Sequence, residues 1–255
     1  DPKLADMAHT DIHTDLHTAI RTAIVTGGSS GLGRALVAGL TGRGTTVVTD
    51  ARDAARLRDA VTALAHPDRV VAVPGDITDP EHRADLVAAA GTAGGLDLLV
   101  HNAGDLGPSP LPALADLDEA ALRAILESNV VAPLALTRIA LPLLRRAPAP
   151  VVVTVSSDAA VEAYPGWGGY GAAKAALDRL AAVLAEELPD VAVYAVDPGD
   201  MRTPMHQRAF PGEDISDRPE PGTVVPALLR LLDERPAPGR YRAAEFATGS
   251  TQVPA

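Results

Sequence analysis

Thr22-Ala23-Ile24-Val25-Thr26-Gly27-Gly28-Ser29-Ser30-Gly31-Leu32-Gly33 is the stretch on which the fold turns. A short aliphatic run breaks into a glycine-rich turn, after which Ala35, Leu36, Val37 and Leu40 recur at helical spacing. Strand, turn and helix N-terminus in this order form a site for a pyrophosphate. Glycine allows the tight turn and a close backbone approach, while free N–H groups and the helix dipole attract the anion. The same glycines alone also suit a plain tight turn, so the rest of the chain must decide.

Outward from this stretch, short aliphatic runs alternate with helical patterns, the mark of successive βαβ units and a parallel sheet. The pattern predicts strands at Thr22–Thr26, Thr45–Thr49, Arg69–Val73, Asp97–His101, Val151–Ser156 and Val191–Val196. Helices are expected near 32–42, 53–65, 79–93, 118–146 and 170–188. The fold class is therefore α/β, a doubly wound parallel (Rossmann) sheet with helices on both faces. One domain spans 21–255, behind a flexible polar tail at 1–20. The Pro-rich, charged segment 200–222 follows the last expected strand and reads as a mobile loop over a site.

Hydrophobic residues make up 47% of the 255 residues but aromatics only 3%, so Ala, Val and Leu must fill the core. A formal net charge of -11 argues against nucleic-acid and membrane-surface partners. The absence of cysteine excludes disulfides, thiolate catalysis and Cys-ligated zinc. No uninterrupted apolar stretch approaches the ~20 residues that cross a bilayer. The N-terminus lacks the order of a signal peptide, and a cytoplasmic enzyme is the expectation. His9, His13 and His17 would share one face of a helix, but the reading favoured here is a terminal tail with no metal.

Three further features support a nucleotide site. Asp50-Ala51-Arg52 lies about twenty residues beyond the glycine turn, where Rossmann folds read the adenosine ribose. Asp76-Ile77 ends the third strand, where a carboxylate can accept the adenine amino group. Asn102-Ala103-Gly104 ends the fourth, where small residues let backbone approach a ligand. Toward the other end, Tyr170 and Lys174 are four apart at the start of a helical pattern and so share a face. A phenol is a poor acid–base group near neutrality, and a neighbouring ammonium is expected to lower its pKa. Ser157 ends a buried-strand run, where a hydroxyl can either donate to an oxygen that gains negative charge or cap a turn.

As a set, Thr26-Gly27-x-x-x-Gly31-x-Gly33, Asp76-Ile77, Asn102-Ala103-Gly104, Tyr170-x-x-x-Lys174 and Pro198-Gly199-x-x-x-Thr203 resemble the short-chain dehydrogenase/reductase family, in its short, single-domain branch. The resemblance runs from about Thr22 to Thr203. It implies an NAD(P)-dependent oxidoreductase that interconverts a ketone or aldehyde and an alcohol by hydride transfer. Tyr170 is then the general acid/base, Ser157 rather than Ser156 orients the substrate oxygen, Lys174 holds the nicotinamide ribose, and Asn129 kinks its helix and anchors a water relay. The implied cofactor contacts are Gly27, Ser29, Ser30, Gly31, Leu32, Gly33, Asp50, Arg52, Asp76, Ile77, Asn102, Ala103, Gly104, Tyr170, Lys174, Pro198, Gly199, Met201 and Thr203.

Cofactor choice turns on Asp50 and Arg52. If the second strand ends at Ala51, Arg52 meets a 2′-phosphate; if it ends earlier, Asp50 takes the ribose and selects NAD. The small Ala51 and the sequence Ala-Arg-Asp favour NADP. His101 departs from the family's usual Asn, and the C-terminus after Gly239-Arg240-Tyr241-Arg242 lacks its usual tetramer element, so a dimer through the long helices stands beside a tetramer. Glu162, Tyr164, Trp167, Met205 and His206 are expected to border the substrate cavity. Two other functions compete: a catalytically silent NAD(P)-binding regulator, and a sugar-nucleotide epimerase.

Overall fold

The computed structural model describes residues 19–247, and the segment with His9, His13 and His17 lies outside them. Among the described residues, seven strands form one parallel sheet: β1 (Thr22–Val25), β2 (Thr46–Ala51), β3 (Val70–Pro74), β4 (Leu98–His101), β5 (Val151–Val155), β6 (Ala192–Asp197) and β7 (Gly239–Arg242). Their order is β3-β2-β1-β4-β5-β6-β7. The chain thus winds one way from β1 to β3 and the other way from β4 to β7. A crevice opens where the direction switches, beyond the carboxyl ends of β1 and β4.

Successive strand residues face opposite layers, which is why β1 is apolar on both faces. Ala23 and Val25 pack under α1 (Gly31–Gly42) and α8 (Val225–Glu234), while Ile24 packs under the opposite layer. That layer comprises α3 (Pro80–Thr92), α5 (Ala132–Leu144) and α6 (Gly168–Glu187). Helix α2 (Ala54–Thr62) begins at Asp53, whose carboxylate caps the N–H groups of Ala55 and Arg56. Helices α1 and α8 sit closely because a side chain on Gly39 would come within 2.5 Å of Val225.

The sheet differs from the expected one by β7. Its sequence, Gly239-Arg240-Tyr241-Arg242, has no apolar run, since it lies at the edge of the sheet. The single helix expected over 118–146 is α4 (Glu119–Leu126), one wide π turn at Glu127–Val131, and α5. Asn129 causes the widening, because its amide donates to the Ile125 carbonyl (2.8 Å) that an α-helix would give to a backbone N–H. Pro133, which has no N–H, removes a second ladder bond just downstream. The run Glu119–Leu144 is long and apolar enough to cross a membrane by composition, with mean hydropathy 1.4, yet it is built into the helical layer against the sheet.

The segment 200–222 is more structured than expected. It holds α7 (Pro204–Ala209), which Thr203 caps by accepting from the His206 N–H at 3.0 Å, and it buries Met201, Ala209 and Ile215. Its two ends are pinned together by Arg202, whose N–H donates to the Pro219 carbonyl and whose guanidinium pairs with Glu220.

Candidate active site

The glycine turn has the shape that a pyrophosphate requires. Gly27 (φ 77) and Gly31 (φ 53) occupy the left-handed region. A side chain on Gly33 would lie 2.4 Å from the Gly27 carbonyl. Ser30 precedes α1 in an extended conformation without capping it, so the N–H groups of the first turn are left for an outside acceptor. Ser29 and Ser30 line an open groove of about 770 Å³ beside this turn. Thr203 borders the turn on its other side, its methyl 3.3 Å from where a Gly31 side chain would begin. Leu32 is buried in the core beneath.

At the adenosine end, β2 runs to Ala51, the first of the two alignments considered for Asp50 and Arg52. Asp50 is buried with both oxygens committed. One accepts from the Gly27 N–H at 2.7 Å and the other pairs with His82 Nε2 at 3.0 Å. The expectation that Asp50 reads a ribose is therefore corrected: its carboxylate ties the glycine turn to the first turn of α3. The His82 ring packs closely against Gly75, where a side chain would be 2.2 Å from Nδ1, so the pair also steadies the loop bearing Asp76 and Ile77. Burial of Asp76 is outweighed by two hydrogen bonds from Thr78 and the fields of Arg52 and His82, which together hold its carboxyl below the usual range. Arg52 itself is exposed.

The loops after β1 and β4 interlock. Thr26 Oγ1 accepts from the N–H groups of Asn102 (3.0 Å) and Ala103 (2.9 Å), and Asn102 Nδ2 donates back to the Thr26 carbonyl at 2.8 Å. The Asn102 side chain thus supports the glycine turn. Gly104 then leaves space for Asn129, whose Oδ1 would be 2.5 Å from a side chain there. Asn129 is fully buried, and its Nδ2 donates to Asp105 and Ile125 carbonyls (both 2.8 Å), while its Oδ1 has no partner.

Tyr170 and Lys174 lie on α6, as their spacing predicts, with the ammonium 5.5 Å from the centre of the phenol ring. Lys174 is buried and donates to the Val155 carbonyl at 2.7 Å. The turn after β5 comes against this helix because Gly171 has no side chain; a Cβ would stand 2.6 Å from the Ala159 carbonyl. Ser157 begins that turn. Its Oγ donates to Asp158 Oδ1 (3.0 Å) and accepts from the Ala159 N–H (3.2 Å), so the hydroxyl caps the turn as well as standing at the carboxyl edge. Beyond β6, Asp197 accepts the Gly199 N–H at 3.0 Å and shapes the Pro198-Gly199 bend. Trp167 contacts Tyr170 edge-on at 5.8 Å and Phe210 at 6.1 Å, and His206 lies 4.9 Å from Phe210. Tyr164 donates to Asp158 (3.1 Å).

The family model described as short chain dehydrogenase matches residues 21–214. The chain belongs to this family. Sepiapterin reductase of Xenopus tropicalis is 33% identical over 84% of this chain and 83% of its own length. A 3-oxoacyl-[acyl-carrier-protein] reductase of rhamnolipid biosynthesis in Pseudomonas aeruginosa is 32% identical over 68% of this chain and 70% of its own. A short-chain dehydrogenase of Shigella flexneri solved with NADP superimposes with a TM-score of 0.80 at 28% identity, over 90% of this chain and 100% of that one. This dehydrogenase is an NAD(P)-dependent oxidoreductase with the Rossmann sheet that its sequence predicted.

The electrostatics around Tyr170 and Lys174 are dominated by burial. Desolvation pushes Lys174 down to about 8, against the field of Asp178. The expectation that Lys174 lowers the phenol is not met in the protein alone: burial, with Asp158 and Asp197 behind it, pushes Tyr170 above the ordinary tyrosine range. Sequence reasoning passed over Asp158, Asp178, Asp197, Phe210 and Arg240. It also passed over a compositional signal, that only two of the 22 Lys and Arg residues are lysine, Lys3 and Lys174. Arginine cannot release a proton, so a lysine at this buried point is chemically distinct from the rest of the chain's cations.

His101 is buried, bonded to Thr137 Oγ1 at 2.7 Å, and pushed down to about 3 by burial and then by Lys174. It stays neutral in the folded dehydrogenase while its unfolded counterpart, with an ordinary pKa of about 6.5, takes a proton. Stability must then fall as pH drops from about 6.5 toward about 3, because the unfolded state binds more protons across that window. Urea unfolding of His101→Asn should show a flatter loss of stability over this window than the wild type. Parallel pH profiles for the two proteins would contradict the assignment.

Proposed function

We propose that the chain reduces a ketone or aldehyde with NADPH, and oxidises the alcohol in reverse, with Tyr170 as the proton donor. The observation that carries this reading is the placement of Tyr170 and Lys174 on one face of α6, held against the Ser157 turn by the missing side chain of Gly171. When bound, the nicotinamide supplies a hydride to the carbonyl carbon. Tyr170 passes its phenolic proton to the carbonyl oxygen. The Ser157 hydroxyl leaves Asp158 to donate to that oxygen as negative charge develops. Lys174 bonds the nicotinamide ribose and favours the phenolate once Tyr170 has given up its proton. The orphaned, buried Asn129 Oδ1 has need of a donor, and a water there leads toward Lys174 and returns the proton.

NADP is favoured over NAD because Asp50 is held inside by Gly27 and His82, which leaves Arg52 as the charged side chain open to a 2′-phosphate. Trp167 stands edge-on to Tyr170, Phe210 tilts against Trp167 and His206 against Phe210, and the 200–222 segment that carries the last two serves as the substrate loop. This wall suits a carbonyl compound with a planar ring, so a pterin ketone of the kind named by the sepiapterin reductase relative belongs in the screen with simple ketones. Tyr170→Phe should lose turnover by at least about a thousandfold while NADPH binding, read by fluorescence, stays within about twofold. Arg52→Ala should lose about tenfold or more in NADPH efficiency and leave NADH unchanged. A Tyr170→Phe enzyme that keeps a tenth of its rate would remove the tyrosine from the mechanism.

The working unit is a homodimer through the long helices. Val131, Leu134 and Ile139 on the π turn and α5, with Val183 on α6, are exposed apolar side chains on neighbouring helices. Sedimentation should give twice the monomer mass for the wild type, and Leu134→Glu should shift it to monomer; a wild-type monomer at micromolar concentration would sink the assignment.

A further inference from the structure

Three segments around Tyr170 and Lys174 meet on one guanidinium, which a fourth supplies. Arg240 reaches inward from β7. Its Nε donates to Asp178 Oδ2 at 2.9 Å, and one terminal nitrogen donates to the Ser157 carbonyl at 3.0 Å and lies 3.5 Å from Asp197 Oδ2. Asp178 stands one turn after Lys174 on α6 and also accepts from Ser156 Oγ at 2.7 Å. Asp197 ends β6 and shapes the bend at Gly199. The side chains of Asp178 and Asp197 are only 13% and 6% exposed, so leaving either carboxylate without a cation is costly. A planar fork that spans two carboxylates and a carbonyl is a task for arginine, which lysine's single point charge performs poorly.

We propose that Arg240 is a positioning residue of the proton-transfer site: it fixes the Ser157 turn to α6 and β6, and it sets the charge that Tyr170 and Lys174 face. This rests on the reading of Tyr170 and Lys174 as the proton-transfer couple. The groups around that couple come from every neighbouring element. Helix α6 supplies Asp178, the turn after β5 supplies Asp158, β6 supplies Asp197, β4 supplies His101, and the π turn supplies the uncharged Asn129. Asp178 favours the charged form of Lys174, and Asp158 and Asp197 favour the protonated form of Tyr170. His101 stays neutral. Among these groups Arg240 is the cation that opposes the carboxylates, and without it both Lys174 and Tyr170 hold their protons more tightly. In the oxidising direction, where Tyr170 must accept a proton, loss of Arg240 moves the acid limb of the rate profile to higher pH.

The scarcity of lysine makes a direct test practicable. Protein labelled with carbon-13 at lysine Cε carries two signals, from Lys3 and Lys174, and Lys174→Met assigns them. Titrated by NMR without cofactor, Arg240→Met should raise the Lys174 midpoint by about half a unit to one unit. Asp178→Asn should lower it, and the double variant should return it toward the wild type. Arg240→Lys, which adds a third signal, keeps the charge and should hold the Lys174 midpoint near the wild type while turnover falls with the lost fork. A Lys174 midpoint that coincides in wild type and Arg240→Met overturns the proposal, even if unfolding temperatures differ or Asp178→Asn shifts the midpoint. Should Arg240→Met fail to fold, an unchanged midpoint in Asp178→Asn overturns it alone. The titration needs no turnover, so its result stands apart from the fate of the carbonyl-reduction reading.

Discussion

The hydroxyl of Thr26 accepts two backbone N–H groups from the loop after β4, and Asn102 returns a bond to the carbonyl of Thr26. These bonds bridge the point where the sheet changes winding direction, and they join the two halves of the site. On one side, the glycine turn keeps its shape because Asn102 and Asp50 grip it from behind. On the other, Gly104 follows directly and makes room for Asn129, which widens its own helix to enter. Under the proposed function, loosening the bridge would move the glycine turn relative to Tyr170 and Lys174, and a displacement of about an ångström there is enough to slow hydride transfer about a hundredfold.

Close approach and burial impose the chemistry at the far end. The absent side chain of Gly171 lets α6 press against the Ser157 turn, and this contact shuts Lys174 away from water. Burial lowers the pKa of a lysine so placed to about 8, whereas an arginine there would keep its charge. The same burial holds Tyr170 protonated in the protein alone, the state needed for a proton donor in carbonyl reduction. The carboxylates behind the couple strengthen that hold, and the guanidinium of Arg240 limits it.

Much of this was legible in the sequence because it rests on periodicity and fixed spacing. The first six strands, the glycine turn before α1, and Tyr170 four residues before Lys174 all appear within a residue or two of where the patterns put them. What was hidden depends on contacts between distant segments. Strand β7 carries two arginines where a buried strand would carry valines, so alternation gives it no signal. Helix α8 did leave a trace in Val225, Leu228, Leu231 and Leu232, but Pro226 beside them suggests a loop. The role of Asp50 was undecidable from local sequence, since it depends on His82, 32 residues away. The π turn at Asn129 is likewise set by a side chain that competes with its own helix, which a helical-spacing pattern cannot reveal.

The central claim is that hydride reaches a carbonyl carbon at the Tyr170 site, and an isotope transfer experiment tests it most directly. NADPH carrying deuterium at nicotinamide C4 is incubated with a panel of ring-bearing and simple ketones, and the alcohol products are analysed by mass spectrometry and NMR. The account predicts deuterium on the carbinol carbon of the product, from one face of the nicotinamide, in the wild type, and none above background with Tyr170→Phe. Alcohol formed without deuterium at that carbon, or labelled to the same extent by Tyr170→Phe, would contradict it.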